Sequence, residues 1–183
     1  MPKIEPWTLE RERALYQTRV FDLRERVARS PTDRDLVGQF VYLDAPDWVN
    51  VVAVTPNGGV VFVEQFRHGS QTITLEIPGG MVDPGEDFAA AGARELLEET
   101  GYAGDPPVLI GVVEPNPAIQ NNRCGTVLIS NARPIAAQAP DPHEELAVLL
   151  HPEARLSDLV QAGTITHALV VAAFYHLAQH RAG

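Results

Sequence analysis

The sequence predicts an α+β fold. Three observations carry that expectation: β-branched apolar runs crowd the first half of the chain, a strongly patterned helical stretch interrupts them at 87–100, and two further helical stretches close the chain after more strand-like runs. This order lacks the regular βαβα alternation of a doubly wound parallel sheet.

Taken in order, Ala14, Tyr16, Val20, Phe21, Leu23 and Val27 alternate loosely among charges, as in a pair of strands with one exposed face. Ser30-Pro31-Thr32-Asp33 reads as a turn and 37–43 as a strand. Residues 48–54 and 60–66 flank Pro56-Asn57-Gly58-Gly59, and Asn-Gly between apolar runs predicts a hairpin. A strand at 72–77 ends at Pro78-Gly79-Gly80, and strands are expected at 108–114, 125–130 and 145–150. A short helix at 155–161 ends near Gly163. A longer one follows at 166–181, with Ala168, Leu169, Val171, Ala172, Phe174, Tyr175 and Leu177 as its expected apolar face. Residues 1–45 are expected to form an N-terminal antiparallel strand extension, and 46–183 the main domain.

Composition narrows the function. Apolar residues make up 45% of the 183, enough for a core, and the net charge is −10 with only 14 Lys and Arg. That balance argues against a nucleic-acid partner. An anionic substrate would need positive charge from elsewhere, and a bound divalent cation is the obvious source. The single cysteine, Cys124, allows no internal disulfide and suits a reducing compartment and a buried apolar role. The N-terminus has no apolar leader, and no run approaches the ~20 apolar residues of a membrane span. A cytoplasmic protein with no membrane partner is expected.

The chemistry concentrates in 80–102. On a helix, Glu95, Glu98 and Glu99 fall within an arc of about 100°. Ala89, Ala90, Ala93, Leu96 and Leu97 read as the sheet-facing side, so the three carboxylates are expected to face outward together. Like charges at this spacing repel by roughly 0.2–0.5 kcal/mol per pair. They also sit toward the helix C-terminus, where the dipole disfavours anions. A cation among them would reverse the sign, and hard ions such as Mg²⁺ take carboxylate, carbonyl and water oxygens. Gly80, Pro84 and Gly85 shape the entrance to this helix, Arg94 stands beside the acidic positions, and Gly101 is a C-terminal cap. Gly92, inside the helix, costs about 1 kcal/mol against alanine, and close packing on a strand is its expected reason.

Gly80, Glu86, Arg94, Glu95, Leu96, Glu98, Glu99 and Gly101 resemble, position by position, the Nudix box G-x5-E-x7-R-E-U-x-E-E-x-G-U, where U is bulky and apolar. Tyr102 at the last position is aromatic rather than aliphatic. The seven fixed positions would coincide by chance on the order of once in 10⁸ starts. The resemblance implies a Nudix fold, a mixed β-sheet sandwiched between helices. It implies that Glu95, Glu98 and Glu99, with the Gly80 carbonyl, hold Mg²⁺, for which Mn²⁺ can substitute, and that Arg94 orients them through ion pairs, including one to Glu86. The implied reaction is hydrolysis of the diphosphate of a nucleoside diphosphate linked to another group.

Phe66-Arg67 ahead of Leu75-Glu76-Ile77-Pro78-Gly79-Gly80, with Pro117 sixteen residues beyond Gly101, is similar to the ADP-ribose and nucleoside-diphosphate-sugar pyrophosphatase branch. That likeness implies substrate contacts from Arg67, Glu76 and Pro117, a homodimer in which the N-terminal strands can swap, and a catalytic base on a late loop. Glu144, then Glu145, are the candidates for the base, with His143 a bystander. Trp48 or Trp7 could stack on a nucleobase. Arg123, in a polar loop with Asn116, Gln120, Asn121 and Asn122, could read sugar or phosphate. Dinucleoside polyphosphates, modified nucleoside triphosphates, coenzyme A and FAD stay open as substrates. A non-catalytic nucleotide sensor is disfavoured because every box carboxylate is present, and an EF-hand because its ligand pattern is missing.

Overall fold

The computed structural model describes residues 3–140 and 144–183. His143, and the end of the 134–142 stretch, lie outside the described residues. Contacts divide the chain into two compact units, Met1–Pro46 with Glu114–Asn122, and Asp47–Val113 with Arg123–Gly183.

The first unit is an antiparallel sheet of β1 (Thr8–Gln17), β2 (Asp22–Arg29) and β3 (Val37–Asp44), in that order. β1 begins well before Ala14, because almost all of it is exposed and no apolar alternation marks its first residues. Cross-strand charges fix the sheet instead. Glu12 on β1 meets Arg24 at 2.9 Å and Arg26 at 2.8 Å, and accepts from the Tyr42 hydroxyl at 2.9 Å. The expected turn at Ser30 forms, with Ser30 Oγ accepting from the Thr32 and Asp33 N–H groups.

The second unit contains β4 (Trp48–Ala53), β5 (Gly59–Arg67), β6 (Thr72–Glu76), β7 (Gly79–Met81), α1 (Phe88–Thr100), β8 (Tyr102–Ala103), β9 (Val108–Val113), β10 (Cys124–Ile129), β11 (Arg133–Pro134) and β12 (Leu146–Pro152). A 3₁₀ turn (Glu153–Arg155), α2 (Leu156–Gln161) and α3 (Ala168–Ala182) complete it. A mixed sheet runs β7-β4-β10-β9, with β4 and β10 parallel, beside an antiparallel sheet β12-β5-β6 and a ribbon β11-β8. Val49, Val51 and Ala53 pack with Val127, Ala91 and Leu96 on the α1 side. Val52 and Val54 pack with Phe62, Val170, Ala173 and Leu177 on the α3 side. The strands therefore lie between helices, and β4 is apolar without alternation because both its faces are buried. Cys124 is buried in β10, and burial pushes its thiol up to about 12. Among the described residues no helix is long and apolar enough to cross a membrane.

Two expectations are corrected. Residues 48–66 are not a hairpin ladder. The turn forms, with Gly58 at φ +76 and one bridge between Val54 and Val60, but its strands then part into different sheets. Asn57-Gly58 specifies a local turn, whereas the partners of β4 and β5 come from distant segments. The apolar face of α3 is also shifted. Val170, Ala173 and Leu177 are buried, while Val171 and Tyr175 are exposed, because a helix apolar on nearly every side shows no clear period.

Gly92 meets the expectation of close packing. A Cβ there would lie 3.2 Å from Val127 Cβ and 3.3 Å from both its methyl carbons. We expect Gly92→Val to destabilise the protein by about 1–3 kcal/mol through overpacking. A urea midpoint unchanged or raised would contradict this contact.

Candidate active site

The acidic helix is fixed at both ends. Asp87 caps its start, its side chain accepting from the Ala90 N–H at 2.8 Å, and Gly101 ends it at φ +74 with its N–H donating to the Leu97 carbonyl. Gly85 turns the entrance loop at φ +92. Gly80 serves differently, by the absence of a side chain: a Cβ there would overlap the Glu95 carboxylate.

Arg94 gathers the cluster. Its Nε and Nη2 donate to Glu86 at 3.1 and 2.9 Å, and Nη1 to Glu95 at 2.8 Å and Glu98 at 3.2 Å. Nη2 also donates to the Met81 carbonyl at 3.0 Å. The hydrogen bond to Glu86 leads in raising the Arg94 pKa, and the same bond holds Glu86 below the ordinary carboxylate value.

The three carboxylates do not face solvent together, contrary to the sequence reading. Glu98 is half exposed, Glu95 mostly covered, and Glu99 only 3% exposed. Leu97, assigned to the sheet side, is exposed instead. The cause is β7. Two glycines let that strand run close under the acidic face, and the Gly79 N–H donates to Glu99 Oε2 at 3.0 Å. Burial pushes Glu99 up to about 8; the Gly79 hydrogen bond opposes the rise, and the charges of Glu95 and Glu144 add to it. Burial also raises Glu95, against the hydrogen bond and charge of Arg94.

A second pair completes the site. Arg67, at the end of β5, donates to both oxygens of Glu76 at 2.9 and 2.8 Å, across the β5–β6 register. Glu76 is buried and also accepts from Thr74 Oγ1 at 2.7 Å. Burial pushes it up, yet the hydrogen bonds from Arg67 and Thr74, with the attraction of Arg67 and His167, hold it below the ordinary value. Arg67 senses the charges of Glu99 and Glu144, and Glu144 acts in turn on Glu95 and Glu99. The structure thus brings Arg67, Glu76, Arg94, Glu95, Glu99 and Glu144 into one electrostatic neighbourhood.

The remaining candidates stand elsewhere or are already engaged. Arg123 holds Asp47 with Nε at 3.1 Å and Nη2 at 2.6 Å, its guanidinium 5.5 Å from the Phe88 ring centre. Asn121 is tied to Asp44 and the Ala45 N–H, and Asn122 to the Pro46 carbonyl. Pro117 belongs to the first unit, in a pocket of about 540 Å³ with Trp7, Phe40 and Tyr42. Trp48 is half-buried at the start of β4, opposite Met81, and Glu145 is exposed beside Glu144. Sequence reasoning missed Thr74, His167 and Gln138. His167 Nδ1 is buried 3.9 Å from Glu76 Oε2 with no hydrogen-bond partner among the described residues. Gln138 Nε2 donates to the Glu99 carbonyl at 2.6 Å. No periodicity or spacing marks these residues, because their partners are remote in sequence.

The donor set of Glu95, Glu98, Glu99 and the Gly80 main chain is all hard oxygen, the chemistry Mg²⁺ and Mn²⁺ prefer. Gly80 leaves room against Glu95 that any side chain would fill. As the side chains stand, Arg94 occupies the cation's role between Glu95 and Glu98, and among the described residues no three acidic, histidine or cysteine groups are already arranged as a metal cage.

Comparison with known proteins gives a family match. The NUDIX domain model matches residues 46–173. The ADP-ribose pyrophosphatase of Bacillus subtilis (strain 168) is 33% identical over 102 residues, 56% of this chain and 54% of that protein. That of Mycobacterium tuberculosis is 26% identical over 166 residues, 86% of this chain and 76% of that protein. The ADP-sugar pyrophosphatase of Mus musculus is 38% identical over 71 residues, 39% of this chain and 32% of that protein. The chain thus spans about half of the Bacillus protein and about a third of the mouse protein. A crystal structure of an ADP compounds hydrolase superposes with a TM-score of 0.85 at 18% identity, covering 98% of this chain and 96% of that one, a likeness of fold.

The buried Glu99 sets a pH signature. An unfolded chain releases this proton near 4.5, whereas the folded protein keeps it to about 8. Between those values the folded state binds the extra proton, so stability declines as pH rises. In a chelator, we expect the unfolding temperature to fall between pH 5 and pH 8, and Glu99→Gln to flatten that slope. An equal slope in both proteins, followed by calorimetry, would overturn the assignment.

Proposed function

This chain belongs to the Nudix family, and from that premise we propose that it is a divalent-cation-dependent hydrolase of ADP-ribose and related nucleoside-diphosphate sugars, yielding a nucleoside monophosphate and a sugar phosphate. The observation that carries the proposal is the gathering of Glu86, Glu95 and Glu98 around Arg94, beside buried Glu99 and the Arg67–Glu76 pair. The activities by which the Bacillus, Mycobacterium and mouse relatives are named favour the substrate class.

Each residue has a role under this reading. Glu95, Glu98 and Glu99, with the Gly80 carbonyl, hold Mg²⁺ or Mn²⁺. The cation, when bound, neutralises diphosphate charge and makes water more acidic. Arg94 keeps the carboxylates in register and stays charged throughout. Glu76 fixes the Arg67 guanidinium from the buried side while 45% of the Arg67 side chain remains exposed, free to meet an anionic substrate. Glu144 takes the proton from water as its oxygen attacks one phosphorus; the bond from that phosphorus to the bridging oxygen breaks, and the other phosphate leaves with it. Glu144 suits this role better than Glu145 because its charge acts on Glu95, Glu99 and Arg67.

We also propose that the N-terminal sheet takes part in a homodimer, since it leaves Leu9 and Phe40 exposed on one face and Tyr16 and Val41 on the other. Phe40→Glu is expected to shift the sedimenting species from dimer to monomer; a monomeric wild type would overturn this.

ADP-ribose, GDP-mannose and UDP-glucose, assayed side by side with Mg²⁺, are expected to give the highest kcat/KM with ADP-ribose and none in a chelator. Removing one cation ligand forfeits several kcal/mol of charge stabilisation, so Glu98→Gln should lower kcat by ~10³-fold with the fold intact. Turnover that survives chelation, or near-normal Glu98→Gln, would sink the reading.

A further inference from the structure

The last carbonyls of a helix need donors from outside it. In α1 one segment supplies them. Ile135 and Ala136 donate their N–H groups to the Gly101 carbonyl at 2.8 and 3.2 Å. The Ala139 N–H donates to the Glu98 carbonyl at 2.8 Å, and the Gln138 side-chain amide to the Glu99 carbonyl at 2.6 Å. A Cβ at Gly101 would overlap the Ala136 carbonyl, so the approach is close. The segment starts from β11, where Arg133 and Pro134 pair with Ala103 and Tyr102 just beyond the helix.

Two of the acceptors, the main-chain carbonyls of Glu98 and Glu99, belong to residues whose side chains sit in the acidic cluster. The segment also leads toward Glu144. β12 begins two residues after Glu144, with Leu146 paired to Gln65 on the strand that ends in Arg67. Glu144 thus lies between an anchor on the acidic helix, Ala139, and an anchor on the Arg67 strand, Leu146. The five residues from Ala139 to Glu144 reach at most ~18 Å. Within that reach the Glu144 charge acts on Glu95, Glu99 and Arg67 together.

We propose that Gln138 is a positioning residue, whose amide locks the 135–139 segment to the main chain of Glu99 and so sets where Glu144 stands against the acidic helix. The proposal rests on the reading that Glu144 accepts the proton. Among the described residues, four hydrogen bonds join 135–139 to the helix end, and this is the one made by a side chain, so it can be removed without touching the backbone. A base displaced by about an ångström can lose up to ~10²-fold in rate while substrate binding is kept.

Gln138→Met keeps the length and loses the donor. With that variant, kcat for ADP-ribose should fall about 10–100-fold with KM and unfolding temperature little changed. Without metal or substrate, the Ala139 amide should exchange with solvent faster than in the wild type. In the Glu144→Gln background, Gln138→Met should cost nothing further, because residues acting as a unit are not additive. The proposal is overturned by unchanged Ala139 exchange, by a loss confined to KM, or by two losses that multiply in the double variant. A wild type inert toward ADP-ribose would sink the substrate reading alone. The exchange measurement still decides the anchoring, and the double-variant comparison then runs on whichever nucleotide sugar is cleaved.

Discussion

Three glutamates within two turns of one helix repel one another, and the fold answers with one guanidinium. Arg94 binds Glu86 with two nitrogens and Glu95 and Glu98 with a third, while reaching the Met81 carbonyl. Much else follows from that arrangement. The entrance loop is held through Glu86, β7 through Met81, and the helix through its own acidic face. A lysine could not do this, because its ammonium is a point charge without a planar fork of donors. The same side chain sits where a divalent cation would draw the carboxylates, so the cluster is kept together without one.

Two buried carboxylates lie on opposite sides of this balance. Glu76 and Glu99 are each nearly inaccessible. Glu76 receives both arms of Arg67 and a hydroxyl from Thr74, and these hold it ionised. Glu99 receives one backbone N–H and faces other acids, so burial prevails and it retains a proton to about 8. Burial alone does not decide a charge state; the number and sign of the donors do.

The sequence made the box legible because its spacing is local: Glu95, Glu98 and Glu99 share a helix, and Gly101 ends it. The Arg67–Glu76 pair was within reach of sequence too, since a short turn joins β5 to β6. What stayed hidden is non-local. The burial of Glu99 depends on the way two glycines of β7 pass beneath the helix, and nothing in the helical pattern announces a strand there. Residues 48–66 misled for the same reason, since the turn is encoded nearby while the pairing partners of its strands are not. Arg123 looked like a free cation in a polar loop, and its partner Asp47 is distant in sequence and adjacent in space.

The parallel pairing of β4 with β10 constrains how the molecule is made. Trp48 aligns with Cys124 and Ala53 with Ile129, so everything from the Asn57 turn through the acidic helix is looped out between the two strands. On a ribosome, β4 emerges with no permanent neighbour and must wait until residue 129 has cleared the exit tunnel before the central ladder can zip. A valine-rich strand kept waiting is a hazard for self-association. The time taken to make residues 54–123 is therefore the interval over which β4 stays exposed without its central partner.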